Sequence, residues 1–183
     1  MKKHALIVLI FSASASASAS NSDHLYIAGN FLVGHETELE VGSVSVDENN
    51  DLGASAALGY NFSVHPNVDF GVELEYQHFG KADFSSDASV EGNAVYINVR
   101  PKFIDKGNNL YSALILGVGS LDGEINVLGE SSSDSDFSYQ AGLEAGYMFD
   151  NVDISVGYRY RHVELDGVDI NIGGITLGMR YNF

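Results

Sequence analysis

The sequence has 183 residues, with 25 acidic against 9 basic side chains and no cysteine. Its net charge of −16 argues against a nucleic-acid-binding protein, because binding to phosphates requires a basic surface. Without cysteine the chain has neither a disulfide framework nor a thiolate metal site. Hydrophobic residues make up 45% of the sequence, which is too many for a disordered chain.

The amino-terminal residues are typical of a secretion signal. Lys2 and Lys3 precede a short apolar run at 5–11, and the Ser-Ala repeat that follows offers small-x-small cleavage sites. The apolar run is too short for a membrane-spanning helix. We therefore expect residues 1–19 to be a cleaved signal peptide and residues 20–183 to form one domain.

Eight segments of that domain alternate between apolar and small or polar residues, which is the period of a β-strand. In chain order they are 25–33, 54–62, 70–78, 95–103, 110–118, 137–149, 152–160 and 175–183. The sixth is the most informative, because aromatic residues flank aliphatic ones on a single face. From Tyr139 to Tyr147 is about 26 Å of strand, or roughly 20 Å of height at a tilt of about 40°, close to the apolar band of a membrane barrel. The pattern predicts an all-β fold, an eight-stranded antiparallel up-and-down transmembrane β-barrel.

The connections between these segments alternate in length. Short turns at 63–67, 104–109 and 150–151 alternate with long stretches at 35–51, 79–91, 120–136 and 164–174, which hold 17 of the 25 acids. Such an alternation predicts periplasmic turns and extracellular loops. We expect Val168, Ile170 and Ile172 to belong to the last loop, with a bulge or loop end at Gly173 and Gly174.

The opposite face of the segments is mostly small, with charge at few positions. An eight-stranded barrel has an interior that side chains fill, and charges buried there must pair or take water. We therefore predict a charge network in the lumen formed by Glu73, Glu75, Arg100, Glu144, Arg159 and Arg180.

A lipocalin-type soluble barrel is the alternative architecture, with the apolar face turned inward around a ligand. Its outer surface would then be the face of glycine, alanine and serine, with hardly any lysine. Soluble surfaces usually carry mixed charges and lysine. The aromatic bands would also lack a reason, so the membrane barrel is the preferred interpretation.

The signal, the eight segments, the glycine-rich inner face and the final GITLGMRYNF at 174–183 resemble the small outer-membrane barrel family. That family includes the membrane domain of outer-membrane protein A and the outer-membrane protein X group. The resemblance implies a place in the outer membrane of a Gram-negative cell, among its lipid and lipopolysaccharide. It also implies interior salt bridges, and a barrel-assembly machinery that reads the aromatic terminal strand, here Tyr181 and Phe183.

For function we favour a structural or surface-interaction role, in which the acidic loops of a monomer meet an extracellular ligand or host surface. A narrow channel for small solutes or ions, gated by the interior charges, is the alternative. A lipid A-modifying enzyme is less favoured, because His162 is followed by Val163 and Glu164 and so lacks the His-x-Ser pair of the deacylases. We expect no cofactor and no metal, and interpret His35, His78 and His162 as interfacial residues.

Overall fold

The structure is a computed structural model, and it describes residues 23–41, 44–49, 51–85, 88–127, 130–165 and 168–183. The predicted signal peptide and its cleavage site lie outside these residues. The described residues form nine strands: β1 (His24–Val41), β2 (Val44–Asn49), β3 (Gly53–His65), β4 (Val68–Ser85), β5 (Ala88–Asp105), β6 (Leu110–Val127), β7 (Glu130–Phe149), β8 (Val152–Leu165) and β9 (Val168–Asn182). Within the described ranges, no helix is long and apolar enough to cross a membrane.

The strands form one closed antiparallel sheet. β1 pairs with β3, and each strand from β3 to β8 pairs with the next. β9 pairs with β1, with Leu177 opposite Phe31, and this pairing closes the sheet. β2 and β3 occupy successive stretches of one strand position, because their register against β1 is continuous: Asn49 faces Glu36 and Gly53 faces Leu32. The barrel therefore has eight strand positions, and the predicted fold is confirmed.

The predicted apolar face of every strand points outward. Leu58 is 52% exposed, Leu74 54% and Ile97 60%, although all three lie in the middle of strands. Aromatic neighbours cluster at the turn end of the barrel, in the pairs Tyr60–Phe62, Tyr147–Phe149 and Tyr181–Phe183. This outer surface suits lipid with an aromatic girdle, so the lipocalin-type alternative is wrong.

The long stretches predicted as loops are largely strand. β4 continues to Ser85 and β5 begins at Ala88, and the pairs β6–β7 and β8–β9 extend in the same way. The apolar outward face ends near residue 78 and its equivalents, whereas backbone pairing needs no apolar face and continues beyond it as extended hairpins.

The bulge or loop end predicted at Gly173 and Gly174 does not lie on β9 itself. Alternation along β9 is unbroken, and Ile170 and Ile172 point inward, at 2% and 5% exposure. They belong to β9, so their assignment to a loop is wrong. The register irregularity lies on β1, the strand that is hydrogen-bonded to β9. It falls between Val33 and Glu36, where Gly34 has a φ of 57° that favours glycine. Along β9 the inward side chains change from polar near the carboxyl terminus, at Arg180 and Thr176, to apolar at Ile172 and Ile170.

Candidate functional site: the barrel interior

The six charged residues predicted for the lumen all lie inside the barrel, on inward positions of β4, β5, β7, β8 and β9. None of them is more than 5% exposed. We call the set Glu73, Glu75, Arg100, Glu144, Arg159 and Arg180 the lumen network.

Glu75 and Arg159 form the centre of the network. Nη1 of Arg159 donates to both carboxylate oxygens of Glu75, at 2.6 and 2.7 Å. The amides of Asn98 and Gln140 donate to Oε2 of the same carboxylate, at 2.9 and 3.0 Å. The carboxylate thus has four donor contacts, which offset the cost of its removal from water.

The other two glutamates lie nearer the turn end of the barrel. Arg100 donates to Oε1 of Glu144 at 2.5 Å, and the Tyr111 hydroxyl donates to the same oxygen at 2.8 Å. Glu73 accepts from the Tyr26 hydroxyl and from Asn98, each at 2.9 Å. Arg180 lies between them at longer range, 3.6 Å from Glu144 and 4.0 Å from Glu73.

A further ion pair, between Lys102 and Asp153, lies outside the predicted set of six. Their side chains meet at 2.7 Å near the turn end, and both are at most 3% exposed. Arg180 is 3.9 Å from the same aspartate, which joins this pair to the lumen network. Both residues have the inward phase in the sequence, so the alternation itself was a signal for the pair.

Three buried tyrosines were also missed, although the sequence contains a signal for them. Each of them faces a glycine on the neighbouring strand: Tyr26 faces Gly59, Tyr96 faces Gly119 and Tyr111 faces Gly146. A Cβ atom added to any of these glycines would lie against the ring of its tyrosine. These three inward glycines therefore leave the room on the lumen wall that the tyrosine rings occupy.

We call the end of the barrel opposite the short turns the outer end. Toward this end the interior becomes apolar. Eight buried side chains form one cluster there, which we call the outer plug: Leu32, Phe79, Ala94, Tyr96, Leu121, Val163, Ile170 and Ile172. A hydrogen bond of 3.0 Å from Nε of Arg161 to Oε1 of Gln77 joins opposite walls at the boundary between plug and network. The guanidinium of Arg161 lies 5.5 Å from the centre of the Phe79 ring.

Of the three histidines predicted to be interfacial, His78 and His162 lie on the outward face at the plug end, each in the same arrangement. His78 contacts Oδ1 of Asn93 at 3.0 Å, and His162 contacts Oδ1 of Asn171 at 2.8 Å. Each asparagine oxygen also accepts a tyrosine hydroxyl, from Tyr76 or Tyr160. The side chain of His35 is not described. In the part of the chain that is described, no group of three or more histidine or acidic side chains could hold a metal ion.

The two terminal aromatics lie at the seam that closes the barrel. Tyr181 faces Ile27 of β1, and its ring lies edge-on to that of Phe183, with centroids 5.0 Å apart. The backbone N–H of Phe183 donates to the carbonyl of Leu25 at 2.9 Å, and its side chain is 63% exposed. Phe183 thus contributes a closing hydrogen bond as well as a ring on the outer surface.

Comparison with known proteins gives one family and a set of similar folds. The family model of the outer membrane protein β-barrel domain matches residues 5–183. Neisserial surface protein A is 16% identical over 87% of this chain and 97% of its own, with a TM-score of 0.60. Ail, the attachment invasion locus protein of Yersinia pestis, is 17% identical over 87% and 98%, with a TM-score of 0.58. The amino-terminal barrel of OprF from Pseudomonas aeruginosa is 13% identical over 87% and 98%, with a TM-score of 0.55.

At these identities the likeness concerns the fold alone. Ail has also been crystallised with the heparin analogue sucrose octasulfate. No curated protein sequence matches this chain.

Proposed function

Because the chain belongs to the outer membrane protein β-barrel domain family and lies in the outer membrane, we propose that it is a closed barrel that acts through its extracellular surface. In this proposal the barrel anchors the four acidic hairpins, and they meet a positively charged partner or host surface. It acts as a monomer without enzyme activity, set in lipid and lipopolysaccharide.

The observation that carries this proposal is the filled interior. The contacts Glu75–Arg159 and Gln77–Arg161 both join β4 to β8, which are four strand positions apart in the ring of eight and so lie on opposite walls. The outer plug lies beyond them. An interior bridged in this way supports a structural role, and it disfavours the channel alternative, for which a water-filled path is required.

The charge of the outer hairpins supports a cationic partner. We define the acidic hairpins as residues 35–51, 79–91, 120–136 and 164–174, and they hold 17 acids and a single basic residue, Lys81. A surface of one sign speeds encounter with partners of the opposite sign and repels those of the same sign. Sulfated polyanions such as the one crystallised with Ail are therefore not expected to bind this chain.

Binding of a decalysine peptide to the barrel in detergent tests the proposal. We expect affinity that falls with salt, and none for sucrose octasulfate. Replacing Glu36, Glu38 and Glu40 by Gln should weaken binding several-fold, because three charges leave one hairpin. The matched control replaces Asp105 and Asp150, in two of the short turns, by Asn, and should bind as the wild type does. Equal loss in both variants, or tighter binding of the sulfated sugar, would contradict the proposal.

We further propose that Tyr181 and Phe183 are the residues that the barrel-assembly machinery reads. Their rings lie together on the outer surface at the carboxyl end of β9, where a partner protein can reach them before the barrel closes. The hydrogen bond from Phe183 to Leu25 forms only on closure, so recognition and closure involve the same residue.

A further inference from the structure

Arg161 is the buried cation that the lumen network does not neutralise. Five cationic side chains are buried in the described part of the barrel: Arg100, Lys102, Arg159, Arg161 and Arg180. Four of them have a carboxylate oxygen within 4.0 Å, and among the described residues Arg161 has none. Its nearest cationic neighbour along β8, Arg159, already has Glu75 as its partner.

Three N–H-bearing atoms of Arg161 and Gln77 have no hydrogen-bond acceptor among the described residues. They are Nη1 and Nη2 of Arg161 and Nε2 of Gln77, and both residues are completely buried. The orientation of Gln77 is fixed, because its Oε1 accepts from Nε of Arg161 at 3.0 Å. Its amide nitrogen is bonded to the same carbon as that oxygen, so the amide group as a whole lies next to Arg161.

These donors select an acceptor that carries negative charge. Leaving a buried guanidinium unpaired costs several kcal/mol, so a bound group is strongly favoured. The Phe79 ring lies 5.5 Å from the guanidinium carbon and attracts the cation, but a ring face does not accept the in-plane N–H bonds. A water molecule would accept hydrogen bonds from some of these donors but would leave the positive charge of Arg161 unneutralised. An anion accepts the hydrogen bonds and also neutralises that charge.

We propose that Arg161 and Gln77 bind a small monovalent anion of the chloride class inside the barrel, between the lumen network and the outer plug. A monatomic ion suits the place, because Arg161 and Gln77 are completely buried and the plug begins at Phe79, whose ring centre lies 5.5 Å from the guanidinium carbon. The anion neutralises Arg161 and completes the polar interior beneath the plug. Since side chains fill the lumen on both sides, the ion is taken up as the barrel folds.

Refolding in defined salts tests the proposal. The barrel is unfolded in urea and refolded into detergent in sodium chloride, sodium bromide or sodium gluconate at equal ionic strength, and thermal unfolding is followed by circular dichroism. We expect the midpoint to rise with chloride or bromide concentration, by roughly 3–6 °C for each tenfold increase above half-saturation, and not with gluconate. Crystals grown in bromide should show an anomalous peak next to Arg161.

The variants Arg161→Gln and Arg180→Gln separate this site from a general salt effect. Both remove one buried cation, but the first should abolish the halide dependence and the second should keep it. The quantity compared is the change in the midpoint of thermal unfolding with halide concentration. A lower midpoint in either variant therefore does not affect the conclusion. Halide dependence that survives Arg161→Gln, or a wild type that responds to neither halide and shows only water beside Arg161, would overturn the proposal.

Discussion

Glu75 on β4 and Arg159 on β8 are 84 positions apart in sequence and meet across the barrel. Both carboxylate oxygens of Glu75 accept hydrogen bonds from one guanidinium nitrogen of Arg159. The two strands are on opposite walls, so this contact fixes the distance between those walls. Two positions further along the same strands, Gln77 and Arg161 repeat the arrangement. A pair of this kind stabilises the barrel only as long as both members are present.

We expect Glu75→Gln to destabilise the barrel by about 3–5 kcal/mol, because Arg159 is then a buried charge without its partner. The double variant Glu75→Gln, Arg159→Met should cost less than the sum of the two single changes. Urea unfolding of the refolded protein in lipid measures the three values. Additive costs would mean that the two side chains do not interact in the folded protein.

Glycines that face buried tyrosines should not tolerate a methyl group. Gly59→Ala places Cβ against the ring of Tyr26, and Gly146→Ala places it against the ring of Tyr111 and the backbone oxygen of Ile154. Overpacking of this kind costs about 1–3 kcal/mol. Gly29→Ala is the matched control. It lies on the outward face, and its Cβ would meet only a backbone oxygen at 3.8 Å. Unfolding free energies that are equal for all three variants would contradict the proposed packing.

Phe183 should matter for assembly through both its backbone and its ring. Deleting it removes the hydrogen bond to Leu25 and leaves unpaired edge groups in lipid, at several kcal/mol each, so we expect exported but unassembled protein. Phe183→Leu keeps the backbone bond and loses the aromatic ring. Membrane fractionation and heat-dependent gel mobility compare the two. Normal levels of folded deletion variant in the outer membrane would be inconsistent with a closing role.

The orientation of the barrel gives a prediction in cells. An epitope tag inserted between Val41 and Val44 should react with antibody on intact cells, because the acidic hairpins face outward in our proposal. The same tag placed in the short turn at Lys106–Asn108 should react only after the outer membrane is permeabilised. The reverse result would mean that the barrel is inserted in the opposite direction.

The strand phases could be predicted from sequence because one face of each strand meets lipid, and that requirement places Leu58 or Ile97 outward without knowledge of any neighbour. Which interior charges would meet could not be predicted in the same way. Glu75 reaches Arg159 only because the closed sheet sets β4 opposite β8, which depends on strand tilt and stagger. The outer plug was missed because Ile170 and Ile172 lie beyond the lipid band. There the apolar residues point into the barrel, whereas within the lipid band the apolar residues point outward. The tyrosines over Gly59, Gly119 and Gly146 could have been found from matching inward positions on adjacent strands.

Single-channel recording of the refolded barrel in a planar bilayer tests the central claim, that the interior is closed and the function lies on the outer surface. We expect no stable current from the wild type, and conductance steps from the variant Glu75→Ala, Phe79→Ala, Ile172→Ala, which removes part of the plug together with one of the contacts across the lumen. Leu177→Ala, on the lipid-facing side, is the control and should remain silent. A steady open current from the wild type, unchanged in the plug variant, would contradict the account and favour a channel.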